Sequence, residues 1–328
     1  MTRAAGITAA LTALVLAATT AATTHAQSYP SRPIRFIVPY PPGAGTDFTA
    51  REIAQRLTEA LGQQIIVDNR PGAGATLGHG LAAKAAPDGY TILLATTGGM
   101  VSSPALGAKL AYDPVKDFAP IGITVYVPYS FVVNGGIPAK TLREFIDYAK
   151  GRPGKLNFGS PGIGTPNHLG GVILMRLTGI EMVHVPYKGG GPLVTDMLGG
   201  QVHAMFASLP QVLPHVPSGR LKVLAVGHPS RVRGAPDIPT IAETIPEFSN
   251  PAWWGVVAPA HTPRAIVAKL NAAINRIMDS PEVIERFQVN GLETATSTPQ
   301  GYAEIIRNDL ETWRKLIKDS NITVDSAS

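Results

Sequence analysis

Ile34-Arg35-Phe36-Ile37-Val38-Pro39-Tyr40-Pro41-Pro42-Gly43-Ala44-Gly45-Thr46-Asp47 passes from a β-branched apolar run into a segment that no regular structure can hold. The apolar run predicts a strand, stopped at Pro39, which has no N–H to give a ladder. Thr46 and Asp47 are the residue types that cap a helix. Phe48, Ala50, Ile53, Ala54, Leu57 and Leu61 then recur at helical spacing until Gly62. The same order returns in Leu156–Leu177: a short strand at Leu156-Asn157-Phe158, a loop over Gly159–Gly164, and a helix running from Thr165 to Thr178. Both loops end Gly-x-Gly-Thr, as Gly43-Ala44-Gly45-Thr46 and Gly162-Ile163-Gly164-Thr165. The copies lie roughly 120 residues apart, about the size of a domain.

Outward from these two units the chain keeps alternating. Strands are expected at Ile65–Val67, Tyr90–Ala95, Val183–Val185, Ala204–Phe206, Val223–Val226 and Trp253–Val257. Helices are expected at Thr76–Ala85, Thr141–Lys150, Leu193–Leu198 and Leu209–Val216, with three more closing the chain at Pro263–Asp279, Pro281–Asn290 and Thr298–Lys318. This alternation predicts an α/β protein with parallel, doubly wound sheets covered by helices on both faces.

Composition narrows the function. With 34 Gly, 29 Pro and only 16% charged residues in 328, the chain is no coiled coil. At 45% hydrophobic it is not a disordered chain. The absence of cysteine excludes disulfides, thiolate metal sites and a cysteine nucleophile. The net charge of +5 comes without a Lys/Arg run, so nucleic acid is not an expected partner. Residues 1–26 carry one charge, an Ala/Leu/Val stretch and a Thr24-His25-Ala26 terminus, which reads as a cleaved secretory signal peptide. The exported remainder is long enough for two cores.

The chemistry falls on the two matching loops. Each offers bare backbone N–H groups, a helix N-terminus and a hydroxyl, a combination suited to an anion. Two such ends facing each other would suit a ligand carrying carboxylates, and bulk at Gly45 or Gly164 would then abolish binding. Asp47 reads first as a cap and second as a contact to a ligand hydroxyl or amine. His168 could support its loop or touch ligand. Tyr187 and Lys188, in the strand-to-glycine turn His184–Gly191, could line a cleft, and Trp253-Trp254 is either core or a stacking surface. Gly72-Ala73-Gly74 with Gly78 has the wrong spacing for a dinucleotide loop, and no P-loop occurs. Gly159-Ser160-Pro161-Gly162 lacks the glycine that a nucleophile elbow needs. No His-x-x-x-His pair suggests a metal.

The run Ile34–Asp47 resembles the Bug family of periplasmic solute receptors, the TctC-like proteins of tripartite tricarboxylate transporters. Asp68-Asn69-Arg70-Pro71-Gly72-Ala73-Gly74, Ala86-Pro87-Asp88-Gly89-Tyr90-Thr91, Tyr112–Ile121, Pro236-Asp237-Ile238-Pro239-Thr240 and Ala258-Pro259-Ala260 extend the likeness along the chain. The resemblance implies a type II periplasmic-binding-protein fold. Its first lobe would be residues 27–128 plus 251–328, its second lobe 129–250, with a ligand cleft between. It implies an extracytoplasmic receptor, not an enzyme, that captures an organic mono-, di- or tricarboxylate and presents it to membrane permease subunits, with no cofactor and no metal. The contacts carried over are Tyr40, Pro42, Gly43, Ala44, Gly45, Thr46, Asp47, Thr97, Gly98, Ser160, Gly162, Ile163, Gly164, Thr165, His168, Tyr187, Lys188 and Gly189. Ala44 and Ala207 depart from the family pattern. The second departure puts a polar contact from that strand end in doubt and favours a less polar ligand, while the Trp253-Trp254 pair keeps aromatic acids among the candidates. A ligand-sensing co-receptor and a hydrolase using the same cleft are the competing readings.

Overall fold

The computed structural model describes residues 29–228 and 230–319, so the signal peptide reading lies outside the described residues. From Arg32 onward the chain is one compact unit built on two sheets. The first contains β1 (Ile34–Val38), β2 (Ile65–Asn69), β3 (Thr91–Thr96), β4 (Phe118–Tyr126), β10 (Trp253–Pro259) and β11 (Glu293–Thr294), in the order β11-β4-β10-β3-β1-β2. The second contains β5 (Tyr129–Asn134), β6 (Leu156–Ser160), β7 (Met182–Pro186), β8 (Ala204–Ser208) and β9 (Leu221–Val226), in the order β7-β6-β8-β5-β9.

In the first sheet β1 lies between β2 and β3, parallel to both. The crossovers are α1 (Gly45–Leu61) and α2 (Thr76–Ala83). In the second sheet β6 lies between β7 and β8, again parallel to both, with α4 (Pro166–Thr178) and α5 (Gly190–Leu198) as the crossovers. Both central strands are therefore topological switch points, where flanking connections leave in opposite directions and open a crevice at the carboxyl end. The two glycine loops emerge there. β1 is buried along almost its whole length, as a strand covered on both faces must be.

The sheets are mixed rather than parallel throughout, which corrects the sequence expectation. β10 runs antiparallel to β3 and β4, and β5 runs antiparallel to β8 and β9. These strands carry the chain from one sheet to the other. Only residues 127–128 separate β4 from β5, too few for the helical crossover that a parallel neighbour requires. β4 escaped the sequence reading because Pro120 and Gly122 interrupt its apolar pattern; the ladder with β10 accommodates them through two register shifts. Further helices are α3 (Leu142–Lys150), the single turn α6 (Leu209–Val212), α7 (Arg264–Met278), α8 (Pro281–Val289) and α9 (Pro299–Asp319), beside short turns such as Ser103–Ala105. The three closing helices match expectation to within two residues.

Candidate ligand-binding site

The loop after β1 is held from behind. Ala44 occupies the position before α1 in an extended conformation, with no side chain capping the helix. Asp47 reaches back instead: one carboxylate oxygen accepts from Gly43 N–H at 3.0 Å and Arg51 Nε at 2.9 Å, and the other from Asn69 Nδ2 at 2.9 Å. The same Asn69 amide donates to the Tyr40 carbonyl. Burial pushes the Asp47 carboxyl up, but these hydrogen bonds outweigh it and hold the group below its ordinary range. Asp47 is thus a loop clamp. With its carboxylate turned away, the N–H groups of Gly45 and Thr46 start a helix with no intrahelical acceptor and carry the positive end of its dipole.

The second loop uses its polar groups internally. Thr165 caps α4, its Oγ1 accepting from His168 N–H at 3.3 Å and donating to the Gly162 carbonyl at 2.7 Å. Gly164 N–H donates to His168 Nδ1 at 3.2 Å, and Pro166 has no N–H to offer. Ser160 Oγ lies 2.8 Å from His184 Nε2, and the His168 and His184 rings sit 4.3 Å apart beneath the loop. A Ser–His pair invites a nucleophile reading. Here the Ser160 hydroxyl is fully buried and also bonded to Gly162, so it braces the loop. The two copies, alike in sequence, therefore present different faces: an open helix end in the first, a self-capped one in the second.

The loops of the two sheets meet. Ser102 and Ser103 hydroxyls, after β3, donate to the Gly164 carbonyl at 2.6 and 3.3 Å. A Cβ on Gly74 would lie 2.6 Å from the Ile163 carbonyl, and one on Gly189 would lie 2.5 Å from Pro41. Between these contacts lies a narrow cavity of about 30 Å³. Tyr40, Ala44, Gly45, Thr46 and Trp254 line it from the first sheet's side, and Tyr129, Pro161, Asn167, Gly190, Ser208 and Gln211 from the second's. Every lining side chain is uncharged. Thr46 Oγ1 and Gln211 Nε2 are buried in its wall without a hydrogen-bond partner.

Of the residues expected from sequence, Tyr40, Ala44, Gly45 and Thr46 line this cavity. Pro42 and Gly43 are exposed on the rim, and Asp47 lies behind the loop. Thr97 joins β3 to β10, its Oγ1 donating to the Trp253 carbonyl and accepting from Trp253 N–H, while Gly98 packs near the Tyr40 hydroxyl. Ser160, Thr165 and His168 brace the second loop, and Gly164 contacts Ser103. Gly162, Ile163, Tyr187 and Lys188 line a separate, open groove outside the loop contact. There Tyr187 donates to Asp196 at 2.7 Å; burial and that carboxylate raise its phenol to about 12.

The Trp pair divides, since successive strand residues point to opposite faces. Trp254 enters the cavity wall, whereas Trp253 donates its Nε1–H to Asp309 on α9 at 2.6 Å. The same alternation answers the Ala207 departure: Ala207 points into the core, and Ser208 beside it supplies the polar group. Sequence reading missed Ser208 and Gln211 because no glycine follows β8 directly; the first in that connection, Gly219, stands at its far end. The signal available was position alone, a hydroxyl at the carboxyl end of a parallel strand.

Residues 49–322 match the model of the tripartite tricarboxylate transporter family receptor. Among solved structures, the periplasmic binding protein BugD is 33% identical with a TM-score of 0.86, over 90% of this chain and 99% of that one. A Rhodopseudomonas palustris protein solved with adipate is 32% identical, TM-score 0.87, over 90% and 99%. MatC of the same organism, solved with bound malate, is 33% identical, TM-score 0.83, over 88% and 100%.

Proposed function

The chain belongs to the tripartite tricarboxylate transporter receptor family, and from that premise we propose that it captures a small organic carboxylate between its two sheets and delivers it to membrane permease subunits outside the cytoplasm. The lobes are residues 27–128 with 251–328, and residues 129–250. They part and close about the segments between β4 and β5 and between β9 and β10. Opening separates the Ser102 and Ser103 hydroxyls from Gly164, admits the ligand, and lets the lobes shut around it. The solved relatives that hold adipate and malate support this ligand class. No catalytic step belongs to this reading, because the Ser160–His184 pair found near the site among the described residues is buried loop bracing.

The observation that carries the proposal is the pair of unpartnered buried donors, one from each side. A buried donor without a partner costs about 1–3 kcal/mol. Thr46 Oγ1 and Gln211 Nε2 recover that cost when a carboxylate accepts from them. Micromolar affinity needs about 8 kcal/mol, so the Gly45 and Thr46 N–H groups and the loop contacts made on closure supply the balance. Titration calorimetry with malate, adipate and aromatic dicarboxylates tests this on the wild type, Thr46→Val and Gln211→Leu. Each substitution should weaken the best ligand about tenfold or more, the equivalent of 1.4 kcal/mol, and the ligand should be recovered unaltered. The reading fails if none of these acids binds, or if both variants keep full affinity.

A further inference from the structure

A second, larger cavity lies away from the cleft, against the segments that connect the two sheets. Its volume is about 530 Å³, within the roughly 300–1,000 Å³ range of small-molecule sites. Tyr126 at the end of β4, Phe248 and Trp253 line it, with Asp309 of α9 among them. The hydrogen bonds Val127 N–H to the Ala252 carbonyl and Gly227 N–H to the Tyr129 carbonyl tie the connecting segments together beside it.

Asp309 is the unusual group. It is half-buried on α9, and its carboxylate accepts a 2.6 Å hydrogen bond from Trp253 Nε1. Among the described residues no Lys, Arg or His forms an ion pair with it, although surface carboxylates such as Asp68, Asp88 and Glu243 all have arginine partners. Burial raises its carboxyl above the ordinary value, and the neighbouring Tyr126 and Tyr302 phenols are raised first by burial and then by its charge. His228, the other titratable group in the wall besides Tyr126, lies near Glu293, with its Nε2 4.0 Å from that carboxylate.

A carboxylate without a cation, set in a mostly apolar cavity with three aromatic side chains in its walls, is the chemistry that recognises an organic cation: charge opposite the carboxylate, π faces around the ammonium, apolar surface around its body. We propose that this cavity is a second ligand site, specific for a protonated amine with an apolar or aromatic body. It is chemically the reverse of the neutral, donor-lined cleft.

Two near-isosteric probes separate this reading from mere apolar filling: 2-phenylethylammonium chloride and 2-phenylethanol, titrated calorimetrically into the full chain at pH 7.5. The ammonium should bind at least tenfold more tightly than the alcohol. In Asp309→Asn, whose amide oxygen still accepts from Trp253, that preference should vanish while the alcohol binds as before. Ala242→Trp, which puts bulk into the same wall, should abolish binding of both probes, and an ammonium that still binds this variant as tightly would overturn the proposal even if the Asp309 variant fails to fold. The proposal is overturned if the two probes bind the wild type equally, if neither binds, or if the folded Asp309→Asn protein keeps the ammonium preference.

Discussion

Lowering the pH from 7 to 4 should weaken the folded state through His79. This side chain is fully buried on α2, where its Nδ1 bonds the Ala75 carbonyl at 2.9 Å and its Nε2 accepts the Thr96 N–H at 3.3 Å. That arrangement fixes a neutral ring, because a proton on Nε2 would face a donor. Tyr112 stacks on the ring, Phe118 meets it edge-on, and the side chain has no exposure to solvent that would stabilise the cation. Burial therefore lowers the imidazole from 6.5 to about 4. Between those values the unfolded chain binds a proton that the folded chain refuses, so stability falls as pH falls through the window. It is level above 6.5 and loses nothing more from this group below about 4. At 1.36 kcal/mol per pH unit the full effect is about 3 kcal/mol. The assay is urea unfolding at pH steps from 7.5 to 4, for the wild type and for His79→Gln, which cannot titrate. The wild type should lose about 3 kcal/mol more than the variant across the window. Parallel stability curves would refute the reasoning, and with it the idea that this ring pins the turn before α2 to the end of β3.

Glycine substitutions should separate close approach from backbone freedom. A Cβ on Gly45 would lie 2.5 Å from Ser208 Oγ and 2.9 Å from Trp254, so Gly45→Ala should weaken carboxylate binding at least tenfold with little change in melting temperature. Gly43 has φ +81° but open space around it, so Gly43→Ala should cost only the left-handed strain of about 1 kcal/mol in stability, read by urea unfolding. The tryptophans should part in the same assays. Trp254→Phe, in the cavity wall, should shift carboxylate affinity several-fold. Trp253→Phe should leave affinity intact and lower stability by about 1–3 kcal/mol, because it strips Asp309 of its donor.

The strand–glycine–helix unit at Ile34–Leu61 and its copy at Leu156–Thr178 were legible because local chemistry decides them. A proline ends β1, glycines open the loop, and apolar residues at helical spacing make α1. The same local logic singled out Gly45 and Thr46, which line the cavity between the sheets, and gave the closing helices their bounds. Spacing could not say that β5 and β10 run against their neighbours, since strand direction depends on which sheet the chain enters next. Nor could it say that the two Gly-x-Gly-Thr loops would differ. Asp47 frees one helix end by bonding backward to Asn69, while Thr165 and His168 occupy the other, and those partners are chosen by packing. Ser208 and Gln211 carry no motif at all. Only the tertiary structure brings them beside Thr46, because a site shared by two sheets is made of residues whose separation in the chain says nothing of their separation in space.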